Sequence, residues 1–311
     1  MENKIYDTLI IGAGPGGLTS AIYTSRANMS TIILDKGIPG GQLQNTAEIE
    51  NFPGFSHISG PDLAQNMYEH ALKFNAEYKY GEVKKINLSN GYFSVETGKD
   101  TINTLSIIVA TGTKYKTLNI PGEKEFTGRG VSWCAVCDGA FYKNKHVVVV
   151  GGGDSAVEEA VYLTKFASKV TVVHRRDKFR AQPILVDRML KNEKIDIIYN
   201  STVEEIRGEK FVESIILKNN ENELSTLNCD GVFEYVGMNP VSEFVSNLGI
   251  TDEFGWIETD NRMKTKIDGI FAVGDVRKDT IRQVVTATGD GCIAAQSAQH
   301  FVESLELDIN K

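Results

Sequence analysis

The chain is 311 residues long, with 41% hydrophobic and 24% charged residues and a formal net charge of −8. That length accommodates two domains of ordinary size, and the acidic balance argues against a protein that grips a nucleic-acid backbone through a basic face. No apolar run reaches the length that spans a bilayer. Asp7 and Gly12 interrupt the first apolar segment, so no secretion signal is read and the expected location is cytoplasmic, with neither nucleic acid nor membrane as a partner.

In chain order, residues 6–11 form an apolar run of strand length that ends in Gly12-Ala13-Gly14-Pro15-Gly16-Gly17. A helix-like stretch over 18–26 and a second β-rich run over 31–34 follow, which is βαβ grammar with a buried parallel sheet. In such a turn Gly12 permits the tight bend, Gly14 lets a pyrophosphate approach the backbone, and Gly17 lets helix and strand pack closely. The helix N-terminus meets the phosphates with free N–H groups. Asp35 closes the second strand at the offset where an acid accepts hydrogen bonds from a ribose diol, so this fold is expected to hold an unphosphorylated adenosine ribose, as in FAD.

The chain has four cysteines, too few for a disulfide-stapled secreted fold of this size. Two of them stand as Cys134-Ala135-Val136-Cys137. Such a pair can be half a zinc site, but Cys229 and Cys292 stand alone and none of the five histidines pairs with another at close spacing. A redox pair is therefore the reading taken. Asp138, next in sequence, can exchange the proton that thiolate chemistry requires. An aspartate beside Gly139 also suits a simple turn.

The first pattern then repeats. Residues 146–150 run into Gly151-Gly152-Gly153-Asp154-Ser155-Ala156, with a helix-like stretch over 157–165 and a β-rich run over 170–173. Ala156 takes the third, close-packing position. The interval from Gly151 to His174 equals that from Gly12 to Asp35, yet the acid is replaced by His174-Arg175-Arg176 with Arg180 beyond. These cations suit a 2′-phosphate through bidentate charge-assisted bonds, so NADPH is expected in preference to NADH. A solvated basic loop is the alternative. Near the C-terminus, residues 270–273 read as a short buried strand that delivers Gly274-Asp275 at its carboxyl end, where ligands of such sheets bind. Arg282-Gln283 and a helix over 284–305 follow. Asp275 could hold a ribitol hydroxyl, and the positive end of the helix could stabilise negative charge on a reduced flavin.

With these motifs assembled, the chain resembles the low-molecular-weight thioredoxin reductases of the bacterial type, within the pyridine nucleotide-disulfide oxidoreductases, essentially end to end. The resemblance rests on both glycine turns, Gly40-Gly41-Gln42-Leu43, Glu50-Asn51-Phe52-Pro53-Gly54, Ala110-Thr111-Gly112, Cys134 to Gly139, His174-Arg175-Arg176 with Arg180, Gly274-Asp275 and Arg282-Gln283. It implies an α/β fold of two Rossmann-like domains, the NADPH domain inserted in the FAD domain, with FAD on residues 1–114 and 243–311 and NADPH on 115–242. FAD contacts are implied at Gly12, Gly14, Pro15, Gly17, Asp35, Lys36, Gly40, Gly41, Gln42, Asn51, Ala110, Thr111, Gly112, Gly274, Asp275, Arg282, Gln283 and Val284. NADPH contacts are implied at Gly151, Gly153, Asp154, Ser155, Ala156, His174, Arg175, Arg176 and Arg180. No metal is implied. The chain departs from the family pattern at Asp35, where glutamate is commoner, at Trp133, where tyrosine is, and at Cys292, where serine is.

The resemblance also implies a homodimer that reduces the disulfide of a thioredoxin, with Cys137 facing the flavin, Cys134 attacking the partner and Asp138 as acid/base. Nicotinamide and cysteine pair lie in one inserted domain and both must reach the flavin, so that domain is expected to rotate about its two crossovers. A relative with a ferredoxin donor and a non-catalytic flavoprotein are the competing readings.

Overall fold

The computed structural model describes residues 4–46, 48–89 and 91–309. The chain divides into two compact units, Met1–Lys114 with Asn239–Lys311, and Tyr115–Met238.

The first unit opens with β1 (Ile5–Ile11), α1 (Pro15–Arg26), β2 (Thr31–Asp35), α2 (Gly60–Lys73), β3 (Glu77–Tyr80), β4 (Val83–Ser89), β5 (Tyr92–Thr97) and β6 (Thr101–Val109). Its sheet runs β3-β2-β1-β6-β5-β4, parallel from β3 to β6 and antiparallel beyond. Leu9 and Ile11 point into one apolar layer and Ile10 into the other, the alternation expected of a strand buried on both faces. Helix α1 begins at Pro15, three residues ahead of the apolar pattern. A proline at the first helical position loses no intrahelical bond, and its fixed φ suits the helix.

A short strand, β7 (Thr113–Tyr115), leads out of this unit. The second unit contains β8 (Val131–Ser132), α3 (Ala135–Asp138), β9 (His146–Gly151), α4 (Asp154–Leu163), β10 (Lys169–Val173), α5 (Pro183–Leu190), β11 (Ile195–Ile198), β12 (Ser201–Gly208), β13 (Val212–Asn219), β14 (Leu224–Asn228) and β15 (Gly231–Tyr235). Its sheet, β11-β10-β9-β15-β8, is parallel throughout. Val147 and Val149 face one layer, Val148 and Val150 the other. The antiparallel meander β12-β13-β14 covers the second layer with Val203, Ile206, Val212, Ile215 and Leu217.

Strand β16 (Met238–Pro240) returns the chain to the first unit, which ends with β17 (Ile270–Ala272) and α6 (Val284–Ile309). The C-terminal half of β6 pairs with β17 while its N-terminal half pairs with β5. Each unit ties its own two ends: Val241 N–H donates to Gly112 O at 3.0 Å in the first, and Lys116 N–H donates to Gly237 O at 2.9 Å in the second. The return passage falls at Met238–Asn239, and the Gly112–Val241 bond lies within the first unit. Among the described residues no helix is long and apolar enough to cross a membrane.

Candidate active site

In the first glycine turn, the protein itself demands glycine at two positions. Gly12 has φ +110°, and a Cβ there would strike Ala110 O; a Cβ at Gly17 would strike Gly12 O. Gly14 is different. Its backbone is extended, with φ −76° and ψ −179°, and a Cβ would meet nothing within 4 Å. Space kept open at the N-terminus of α1 where any residue would fold fits a phosphate lying against the backbone.

The segments around this turn are bonded to it. Gly40 N–H donates to Ala13 O at 2.7 Å, and Gly41, at φ +56°, sits over the Cα of Gly14. Asp35 is committed: Oδ2 accepts the Ala13 N–H and Oδ1 the Gly37 N–H at 2.6 Å. Its carboxylate thus fastens the turn to the end of β2. Lys36 pairs with Glu82 at 2.9 Å. Gln42 Nε2 donates to Thr113 O at 2.9 Å, Asn51 Nδ2 donates to Gln283 Oε1 at 3.0 Å, and Thr111 Oγ1 donates to Val241 O. Val284 opens α6 and packs against the Leu43, Ile49, Leu63 and Ala64 cluster.

Asp275, half-buried beyond β17, takes no hydrogen bond from any described residue. Burial pushes its carboxyl up to about 6; Arg282 opposes the rise and Asp290 adds to it. A carboxylate in this state fits a ligand that donates hydroxyl hydrogens. Three residues outside the sequence motifs, Asp290, Arg277 and Trp256, organise this corner. Asp290 Oδ2 accepts the Gly274 N–H at 3.0 Å and pairs with Arg277 Nη1, and the Arg282 guanidinium lies 4.4 Å from the Trp256 ring centroid.

The second glycine turn repeats the logic. A Cβ at Gly151 would crowd Tyr235 O at 2.6 Å and Ala156 Cβ at 2.7 Å, which explains both small residues by packing. Gly153 is extended and faces open space, as Gly14 does. A Cβ at Gly152 would collide with the His174 ring. That ring is buried, hydrogen-bonded through Nε2 to Lys178 O at 2.9 Å and stacked on Phe179 at 5.0 Å, so His174 floors the turn. Arg180 N–H donates to Gly152 O at 2.8 Å. The side chains of Arg175, Arg176 and Arg180 are exposed and make no ion pair with any described residue. This is the state expected of cations that await an anion. Asp154 accepts both the N–H and the Nε2 of Gln182, and Ser155 is exposed on the first turn of α4. The open space at Gly14 and Gly153, the unpartnered Asp275 and the three unpaired arginines together fit FAD in the first unit and NADPH in the second.

Cys134 and Cys137 are joined as a disulfide across α3. Cys134 is the N-cap, and its Sγ accepts the Cys137 N–H at 3.1 Å, so a helix N-terminus points at the sulfur and favours a thiolate there. Ser132 Oγ donates to Asp138 Oδ2 at 2.7 Å and accepts the Cys134 N–H at 3.0 Å. One buried hydroxyl therefore fixes the acid relative to the sulfur. The Ala135 N–H donates to Tyr235 Oη at 3.0 Å. Cys229 and Cys292 are free, and burial pushes the Cys229 thiol up to about 12, so it is inert.

The model of the pyridine nucleotide-disulphide oxidoreductase family matches residues 6–291. The chain is 57% identical to a thioredoxin reductase of Bacillus subtilis over 307 residues, 98% of this chain and 97% of that protein. It is 54% identical to one of Listeria monocytogenes over 98% of this chain and 96% of that protein. Among solved structures, a thioredoxin reductase of Lactococcus lactis in its FR conformation matches with a TM-score of 0.95 at 52% identity, covering 96% of this chain and 99% of that one.

Proposed function

The chain belongs to the pyridine nucleotide-disulphide oxidoreductase family, as a flavoprotein that uses NADPH and FAD to reduce the disulfide of thioredoxin, and from that premise we propose how its residues divide the work. Bound FAD supplies two-electron transfer between a nicotinamide and a disulfide. The first unit holds it: the turn from Gly12 to Gly17 takes the pyrophosphate, the segments at 35–42, 51, 110–112 and 282–284 surround the rest, and Asp275 accepts from ribityl hydroxyls. Gly151 to Ala156 take the pyrophosphate of NADPH, and Arg175, Arg176 and Arg180 take its 2′-phosphate above the His174 floor.

The observation that carries the thiol chemistry is the Cys134–Cys137 disulfide capping α3, with Asp138 held beside it by Ser132. Once this bond is opened by two electrons and two protons, the Cys134 thiolate attacks the thioredoxin disulfide, forming one S–S bond as another breaks. Cys137 then displaces the partner, which leaves as a dithiol, and the Cys134–Cys137 bond re-forms. Asp138 holds a proton and returns it to the departing sulfur. The test follows NADPH oxidation with and without thioredoxin in the parent and in Cys134→Ser/Cys137→Ser. Oxidation is expected to need both thioredoxin and the pair. Flavin bleaching without electron delivery to thioredoxin would move the reading to another acceptor.

Because the nucleotide turn and the cysteines share the unit Tyr115–Met238, we propose that this unit rotates between steps. A cross-link that locks it with the disulfide at the flavin should abolish turnover; undiminished turnover would reject rotation. The family resemblance also supports a cytoplasmic homodimer, which light scattering on the holoenzyme and fractionation of the source cells would check.

A further inference from the structure

We propose that Tyr235 is a positioning residue for the redox turn: its phenol oxygen holds the Ala135 N–H and thereby keeps the first turn of α3 in place when the Cys134–Cys137 bond is open. This inference rests on the reading of the pair as redox-active. Ala135 lies between the cysteines, is fully buried, and offers one of the N–H groups that a helix start leaves without an intrahelical partner. A buried donor of this kind needs an acceptor, and Tyr235 Oη provides it at 3.0 Å.

The phenol is itself fixed. Tyr235 ends β15, pairs in register with Gly151, is 9% exposed, and meets Tyr115 edge-on at 6.3 Å between centroids. Burial first, then the charge of Glu159, keeps its proton on. Glu159 lies on α4, and its buried Oε2 has no partner among the described residues. The side chain that braces the redox turn therefore belongs to the residue whose carbonyl backs the nucleotide turn at Gly151.

The hold matters unequally in the two redox states. In the disulfide, the S–S bond ties residues 134 and 137 together whatever else surrounds them. Reduction breaks that bond, adds two electrons and two protons, and leaves the turn to its hydrogen bonds, among them those of Ser132 and Tyr235. Removing the phenol hydroxyl costs the disulfide, whose turn is held in place, the whole of this bond, whereas the opened turn relaxes and loses less, so the disulfide is penalised more.

The experiment equilibrates the holoenzyme's pair against glutathione buffers of known ratio, with thiol trapping, in the parent and in Tyr235→Phe, which keeps the ring. The expected result is a shift of about fivefold toward the dithiol. A double cycle assigns the cause. Proline at the first helical position removes the Ala135 N–H at little cost, and Cys134 before it is already extended. In the Ala135→Pro background, Tyr235→Phe should produce little further shift. A parent-like midpoint for Tyr235→Phe, or an undiminished shift in the Ala135→Pro background, overturns the proposal. Amide exchange on the unaltered enzyme tests it independently of any variant: the Ala135 amide should stay protected after reduction by dithiothreitol, and its exchange at the rate of an open chain would reject the role. Loss of thioredoxin reduction in the parent would instead count against the parent reading alone.

Discussion

Arg277 Nη1 donates to Asp290 Oδ2 at 2.7 Å, and the same oxygen accepts the Gly274 N–H, so one carboxylate from α6 fixes both the ion pair and the turn that presents Asp275. The pair is largely buried, at 15% and 12% side-chain exposure. Removing one partner of such a pair strands the other charge. Asp290→Ala is expected to lower stability by about 3 kcal/mol and to release flavin, read by urea unfolding and by flavin content after gel filtration. Asp290→Asn, which can still accept from Gly274, should lose less of both.

The second nucleotide turn makes a prediction about cofactor choice. Replacing Arg175, Arg176 and Arg180 with glutamine removes three exposed cations that make no ion pair among the described residues. KM for NADPH should rise by about tenfold or more while that for NADH changes little. Equal effects on both would show that these side chains do not read the 2′-phosphate.

Ser132→Ala should separate structure from proton handling at the cysteines. The hydroxyl donates to Asp138 and accepts from Cys134, and its loss frees the carboxylate. A hydrogen bond to a charged group is worth about 1.5–3 kcal/mol, so thioredoxin-linked kcat is expected to fall about tenfold. Thermal stability should change far less. Threonine at this position, which restores a hydroxyl, should recover part of the rate.

Two buried carboxyls predict how stability varies with pH. Burial and the neighbouring Glu123 push Glu234 up to about 8, and burial with Glu158 does the same to Glu159, from an ordinary value of 4.5. The folded protein thus keeps protons that the unfolded chain releases between 4.5 and 8. Stability must fall as pH rises through that window and level off above it. Glu234→Gln should flatten the fall, giving a higher urea midpoint than the parent at about pH 8.5 and a similar one at about pH 5. Parallel curves for the two proteins would show that Glu234 does not titrate in this range.

Much of the site could be read from sequence because its parts are local. Gly12, Gly14 and Gly17 lie within one strand–turn–helix unit, and Cys134, Cys137 and Asp138 within a single turn of chain. Their spacing carries their geometry. Ser132 also lies within reach of the pair, but a serine in a strand carries no distinctive pattern. Tyr235 and Asp290 were hidden for another reason. Tyr235 touches Ala135 across a gap of 100 residues, through the parallel pairing of β15 with β9. Asp290 acts on Gly274 from a helix whose apolar pattern says nothing about one inward acid. His174 shows the limit of counting intervals. The offset from Gly151 marks the end of β10 correctly, yet only packing reveals that the ring lies beneath Gly152.

The paired ends of the second unit make it a cassette. Tyr115–Met238 enters and leaves at one spot, closed by the Lys116–Gly237 bond, and the host strands on the other side are already joined through Gly112 and Val241. Excision would ask for no more than a short splice between neighbouring chain ends, with no strand of the host sheet to rebuild. The thiol pair and the second nucleotide turn thus share one continuous insert.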